Sequence, residues 1–319
     1  MTGSTTNSET QHTTHTVLIG APAKVVYDIV ADVTRWPYTF GPTVHAQVLE
    51  TDGATERLRL WAFANGDVRS WTSRRALDPE KLTVHFEQEA SAAPVVHMAG
   101  EWRIEPVGET TTRVEMLHDF RTATDDTVDL VLRAIEHNST AELLALKQAA
   151  ELGDDYEQLV LSFADSVTIS APKEQVYDFL YRADLWPRRL PHVARLELHE
   201  AITGVQSMEM DTLGPDGSVH TTHSVRVCLP YESIVYKQTG TPEIMAAHVG
   251  RWVLRPVGDA VEVTSYHTVV IRPDKVTEVI GPDATLGQAR EMIRKALGAN
   301  SLTTLGHAKT ATEAASVEG

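Results

Sequence analysis

The residues best placed to do chemistry follow an Asn65-Gly66 pair at alternating positions: Arg69, Trp71, Ser73 and Arg75. Side chains of an extended strand alternate between its faces, so these four share one side. An arginine turned toward a pocket holds an anionic group, or polarises enol and carbonyl oxygens through several N–H donors. Ser73 suits a carbonyl or a water, and Trp71 offers a rigid apolar wall with one polar handle. Arg75 has a second reading, as a sheet arginine paired to a surface acid. Trp36, Tyr38 and Phe40 make an aromatic group upstream that either lines a pocket mouth or closes a helix onto a sheet. Trp102, between Gly100 and a Pro-Val-Gly turn, reads as structural. His118-Asp119 resembles an acid-base pair, but strand neighbours face opposite ways. Cys228, within VRVCLPY, reads as a small core residue. No HExxH, paired CxxC, glycine-rich nucleotide loop or GxSxG is present, so neither a metal nor a nucleotide cofactor is expected.

The elements that carry these residues occur twice. VLIGAPAKVVYDIVADVTRWPYTF is followed by VTISAPKEQVYDFLYRADLWPRRL at a displacement of 150 residues. Gly100, Trp102 and Pro106-Val107-Gly108 recur at the same displacement as Gly250, Trp252 and Pro256-Val257-Gly258. Ser73 and Arg75 have counterparts in Ser224 and Arg226, while Trp71 becomes Thr222. Each copy opens on an alternating strand, then Ala-Pro at a helix entrance, where proline's missing N–H has no intrahelical role. The Trp-Pro pairs are expected to end that helix. Strand-like stretches follow, with hairpin signals at Asn65-Gly66 and Pro215-Asp216-Gly217. A long helix closes each copy. In the first, Val128, Val131, Ile135, Leu143 and Leu146 form one apolar face. In the second it spans Asp283 to about Leu305, interrupted by Gly287 and Gly298. The expected fold is α+β: tandem helix-grip domains at residues 12–155 and 162–306, each a curved antiparallel sheet wrapped around a long C-terminal helix. A cavity between sheet and helix follows. Met1 to about Gln11 and Gly306 to Gly319 lack periodicity and are expected to be mobile.

A chain of 319 residues is long enough for two such cores. With 28 basic and 44 acidic side chains its formal charge is -16, which opposes general attraction to nucleic acid. No apolar run is long enough to span a membrane, and the N-terminus lacks the pattern of a secretory signal. One cysteine excludes an intrachain disulfide framework. Together these favour a cytoplasmic protein.

The two copies resemble the polyketide aromatase/cyclases of the START-like, Bet v 1-like helix-grip superfamily, over about residues 14–152 and 164–305. The markers are APAKVVYDIVADVTRWPYTF, ANGDVRSWTSRR, GEWRIEPVG and AIEHNSTAELLALK. The duplication resembles the didomain members of type II polyketide pathways. The resemblance implies a pocket with Trp36, Phe40, Trp71 and Trp102 around substrate in the first copy, and Ser224 and Arg226 in the second. It implies Arg75, Ser73 and Tyr38 as catalytic groups. A tyrosine found after the entrance aromatics in single-domain relatives is replaced around Thr43. The implied reaction is regioselective aldol closure and dehydrative aromatisation of the first ring of a linear, ketoreduced poly-beta-ketone. Its implied partners are an acyl carrier protein and the type II synthase components. Arg182, Arg188, Arg189 and Arg195 form a candidate carrier-docking patch. The loss of aromatic residues at Arg188, Leu190 and Thr222 assigns most ring-forming chemistry to the first copy. The alternatives are a noncatalytic tandem lipid or hydrophobic-ligand binder, and a structural component of a synthase.

Overall fold

The computed structural model describes residues 8–213 and 217–317. The chain divides between Glu157 and Gln158 into two compact units. The first begins with strand β1 (Gln11–Ile19) and short helices α1 (Ala23–Ala31) and α2 (Trp36–Thr39). Six strands follow: β2 (Thr43–Thr51), β3 (Thr55–Ala64), β4 (Asp67–Asp78), β5 (Thr83–Ala90), β6 (Val95–Pro106) and β7 (Thr112–Thr122). Helix α3 (Val128–Leu152) ends the unit, and α4 (Asp154–Leu159) leads onward.

The second unit repeats the plan. Strand β8 (Val160–Ile169) precedes α5 (Lys173–Tyr181) and α6 (Trp186–Arg189). Then come β9 (Val193–Ile202), β10 (Val205–Leu213), β11 (Val219–Leu229), β12 (Ser233–Gly240), β13 (Met245–Val257) and β14 (Ala260–Ile271). Helices α7 (Val276–Ile280) and α8 (Leu286–Val317) complete it. Each unit is one antiparallel sheet of seven strands, ordered β1-β7-β6-β5-β4-β3-β2 and β8-β14-β13-β12-β11-β10-β9. The terminal helix of each packs on its own sheet, α3 on β1 and β7 and α8 on β8 and β14, which is the helix-grip arrangement. Among the described residues no helix is long and apolar enough to cross a membrane.

Local chemistry explains the elements. Pro22 caps α1, and Val26, Tyr27, Ile29 and Val30 bury its inner face. The Trp-Pro pair does not end this helix. α1 stops at Ala31, and Trp36-Pro37 opens α2, where proline fits the first turn and the Phe40 N–H donates to Trp36 O at 2.7 Å. Asn65 and Gly66 both adopt positive φ, 53° and 88°, as a two-residue hairpin loop between right-twisted strands requires. The matching signal in the second copy includes Pro215 and Asp216, which lie outside the described residues.

Helix α3 buries Val131, Ile135, Leu143 and Leu146 along one stripe, with Ser139, 1% exposed, in its midst. The terminal expectations change. Helix α8 continues to Val317, with Ala308 and Thr312 buried, so the stretch after Gly306 is anchored rather than loose. At the other end the Ser8 hydroxyl accepts from the Thr122 N–H at 2.7 Å, tying the chain down before β1. Lys147 Nζ donates to Leu18 O in the first unit, and Lys309 Nζ to Thr168 O in the second. These equivalent bonds set the helices in register and match Ser139 with Ser301.

Candidate active site

A cavity of about 400 Å³ lies between the first sheet and α3. Trp36, Trp71, Phe86, Met98 and Trp102 supply much of its apolar wall. Arg69, Gln88, His118, Asn138 and Ser139 are its main polar contributors. The strand period explains the selection from β4: Arg69, Trp71, Ser73 and Arg75 share the inner face, but the first two reach the cavity and the second two do not.

Ser73 and Arg75 lie deeper, and Arg75 sits against the end of α1. The Ser73 hydroxyl donates to Glu87 O at 2.9 Å. Arg75 Nε donates to Glu56 at 2.6 Å, Nη1 to Val30 O at 3.2 Å and Nη2 to Ala31 O. Its guanidinium therefore closes the C-terminal end of α1, where a cation complements the helix dipole. It also stacks 5.5 Å from the Trp36 ring, which does line the cavity. Arg75 is thus paired to an acid, but a buried one, and its guanidinium meets the cavity wall at Trp36 without lining the cavity itself.

The aromatic group also divides. Phe40, 1% exposed, backs the wall, with its ring 5.7 Å from Trp36 and stacked 6.4 Å from Trp102. Tyr38 is outside the cavity lining, beside Arg35 and Tyr156; burial pushes its phenol up from the ordinary value. Thr43, where a related tyrosine is replaced, is a lining residue.

Two further residues of the cavity stand out, His118, which the sequence offered only as a pair with Asp119, and Ser139, which it did not single out. His118 Nδ1 and Ser139 Oγ are buried, have no hydrogen-bond partner among the described residues, and belong to cavity-lining residues. Burial, aided by His15, pulls the His118 imidazole down to about 4, so it is neutral near pH 7. Asp119, on the opposite face as strand parity requires, instead meets His12 at 2.5 Å. The sequence signal for Ser139 was a hydroxyl within the apolar stripe of α3. Asn138 Nδ2 donates to Phe63 O at 2.8 Å and Asn65 Nδ2 to Leu130 O at 3.3 Å, so two amides clip α3 to the β3–β4 hairpin.

The second unit has a smaller cavity, about 140 Å³, lined in part by Trp186, Thr222, Ser224, Arg226 and Trp252. Here the arginine does reach the space. Cys228 is buried, and burial pushes its thiol up to about 11, which agrees with a core role. Among the described residues no group of three or more His, Cys, Asp or Glu is disposed to hold a metal ion.

Two antiparallel sheets, each gripping a helix over an internal cavity, define a tandem helix-grip protein. The family model for polyketide cyclase / dehydrase and lipid transport matches residues 19–141 and again 169–291, and the chain belongs to that family. It is 43% identical over 304 residues to the granaticin polyketide synthase bifunctional cyclase/dehydratase of Streptomyces violaceoruber, covering 94% of each chain. It is 42% identical over 312 residues to the actinorhodin counterpart of Streptomyces coelicolor, covering 95% of this chain and 97% of the relative. Among solved structures it resembles the di-domain ARO/CYC BexL from the BE-7585A biosynthetic pathway. That match has a TM-score of 0.85 and 44% identity, over 95% of this chain and 99% of the other.

Proposed function

We propose that the chain folds a carrier-bound poly-beta-ketone into its first cavity, closes the first ring by an aldol reaction and releases an aromatised product. The observation that carries this reading is the 400 Å³ cavity with aromatic walls and two buried, unpartnered polar atoms, on His118 and Ser139. Aromatic walls restrict a flexible chain to a bent course, which lowers the orientational cost of bringing a methylene beside one chosen ketone. In the closure the methylene C–H bond breaks, its carbon bonds to the ketone carbon, and the ketone oxygen takes up a proton. His118, neutral and with Nδ1 free, is suited to move that proton, and Ser139 to hold the oxygen. Arg69, near the hairpin, is the guanidinium that reaches this cavity. Arg75, Ser73 and Phe40 act in this account by holding Trp36, β4 and Trp102 in place. Tyr38, among the sequence candidates for proton transfer, faces Arg35 rather than the cavity.

Carrier docking falls to a smaller patch than the sequence suggests. Arg182 pairs with Asp184, and Arg195 with Glu197, Glu209 and Asp211. Arg188 and Arg189 remain as the surface suited to an acidic carrier. Neutralising both should weaken carrier affinity in a salt-sensitive way; unchanged affinity removes the patch.

Incubation with a purified carrier-bound poly-beta-ketone, reading product mass and ring pattern, tests the reading. Ring closure with loss of water is expected. Retention of unchanged chain would instead identify a hydrophobic-ligand binder, which the apolar cavity also suits.

A further inference from the structure

The second cavity is built from the same positions as the first, but one exchange beside its arginine changes what it can hold. Gln206 stands opposite Arg226 where Glu56 stands opposite Arg75, so the paired carboxylate is gone. The glutamine also takes a second partner away. Leu180 and Tyr181 are the repeat counterparts of Val30 and Ala31, whose carbonyls both accept from Arg75. Arg226 Nη2 still donates to Leu180 O at 2.6 Å, but it is Gln206 Nε2, at 3.4 Å, that donates to Tyr181 O. Gln206 Oε1 accepts from the Cys228 thiol at 3.8 Å rather than from the guanidinium. Glu200, whose charge reaches Arg226, is itself claimed by Gln206 at 2.8 Å, the Tyr181 hydroxyl at 2.7 Å and the Gly204 N–H at 2.7 Å.

Arg226 is 1% exposed and lines the cavity of about 140 Å³, yet its Nε and Nη1 have no partner among the described residues. Trp252, another lining residue, also leaves its Nε1 N–H unpaired. Trp186 links the two: its ring lies 5.2 Å from the Arg226 guanidinium and 5.9 Å from the Trp252 ring. Among the described residues of this lining, these three are the buried side-chain polar atoms left without a partner, and all three are donors. His248, His267 and Ser301, by contrast, satisfy one another. A cation kept from water without a counter-ion carries a desolvation penalty. Three donors lacking an acceptor add to it, and an anion rich in acceptor oxygens relieves both.

Size narrows the class of anion. A cavity of about 150 Å³ accommodates one benzene ring, and Trp186, Met208, Met210 and Trp252 supply apolar wall here. The space is about a third of the first cavity, too small for a folded poly-beta-ketone. A chain held on its carrier also ends in a neutral thioester, which offers Arg226 no charge.

We propose that the second cavity is a binding site for a small free aromatic carboxylate, with the carboxylate at Arg226 and Trp252 and the ring among the apolar side chains. Its oxygens accept from the guanidinium donors that Gln206 has released and from the Trp252 indole N–H. Such a site distinguishes a released acid from a chain still held as a thioester. It is independent of ring closure in the first cavity.

The test titrates sodium benzoate into the full-length protein by calorimetry, with benzamide as a neutral probe of the same shape. One benzoate per chain should bind, and benzamide should bind about tenfold or more weakly, the effect of one charged hydrogen bond. Arg226→Met removes the charge, and Thr222→Trp keeps it but fills the cavity with the first copy's tryptophan. Each should weaken benzoate binding at least tenfold. Ala134→Trp, which fills the first cavity instead, should leave benzoate affinity within twofold of wild type. Without benzoate, Arg226→Met should melt no lower than wild type, since it loses a cation that lacked a counter-ion. A wild type that does not bind benzoate overturns the proposal, as does benzamide binding equally well. So does benzoate affinity within twofold of wild type in either second-cavity variant of native circular dichroism. Affinity lost in Ala134→Trp alone places benzoate in the first cavity and overturns it too.

Discussion

Arg75 and Arg226 occupy the same place in two copies of one sheet, yet their neighbours give them different work. Arg75 is held by Glu56 and two carbonyls of α1, so Arg75→Ala leaves a mostly buried carboxylate without its cation. Breaking such a pair costs about 3–5 kcal/mol, and replacing both partners by leucine should recover most of it. Chemical unfolding of the single and double variants measures this; a single variant as stable as wild type contradicts the structural role. His118 predicts the opposite pattern. His118→Leu removes a buried polar atom that has no partner among the described residues, so stability should hold or rise by about 1 kcal/mol while cyclised product falls at least tenfold. Normal product from the folded variant would dismiss His118. The sequence displayed the face shared by Arg69, Trp71, Ser73 and Arg75 through its period of two. It did not display where along that face the cavity ends, because Glu56 and α1, which claim Arg75, arrive through tertiary packing. His118 was obscured for a similar reason: strand parity separates it from Asp119 but leaves open which of the two faces inward.

At the scale of elements, the glycines at the centre of each sheet show how tightly the walls are built. A Cβ on Gly100 would sit 2.2 Å from Leu117 O and 2.4 Å from Phe86 Cζ. Gly100→Ala must therefore move backbone and a wall aromatic together, at about 1–3 kcal/mol for overpacking. A lower melting temperature with weaker hydrophobic-probe binding is expected; an unchanged melting temperature contradicts the close approach. The recurrence of Gly100 as Gly250 was plain in the sequence, as were the Asn65-Gly66 hairpin and the stripe of α3. The extent of α8 was not. Gly298 and Gly306, with an Ala- and Thr-rich end, weaken its helical pattern, and only packing reveals that Ala308 and Thr312 are buried. Trp36-Pro37 misled because proline both stops one helix and opens another.

Over the whole molecule, a duplicated fold has kept its architecture while its two interiors diverged. One consequence is a shared sensitivity to acid. Burial holds His118 and His267 at about 4 and His248 at about 3, whereas unfolded histidine titrates near 6.5. Between those values the unfolded chain binds protons that the native chain does not, so stability falls as pH drops below about 6.5. His118 accounts for about 2 kcal/mol between pH 7.5 and 5. Denaturation of His118→Leu at both pH values should show a shallower loss than wild type; parallel losses contradict a neutral buried imidazole. The central claim, that the first cavity is where the chain is folded and closed, is tested most directly by filling it. Ala134 lines that cavity from α3. The measurement is product mass and ring pattern from a carrier-bound poly-beta-ketone, comparing wild type with Ala134→Trp of native circular dichroism. The account predicts a cyclised, dehydrated product from wild type and at least a tenfold loss of correct ring closure in the variant. Equal yields of the same ring from both proteins would contradict it.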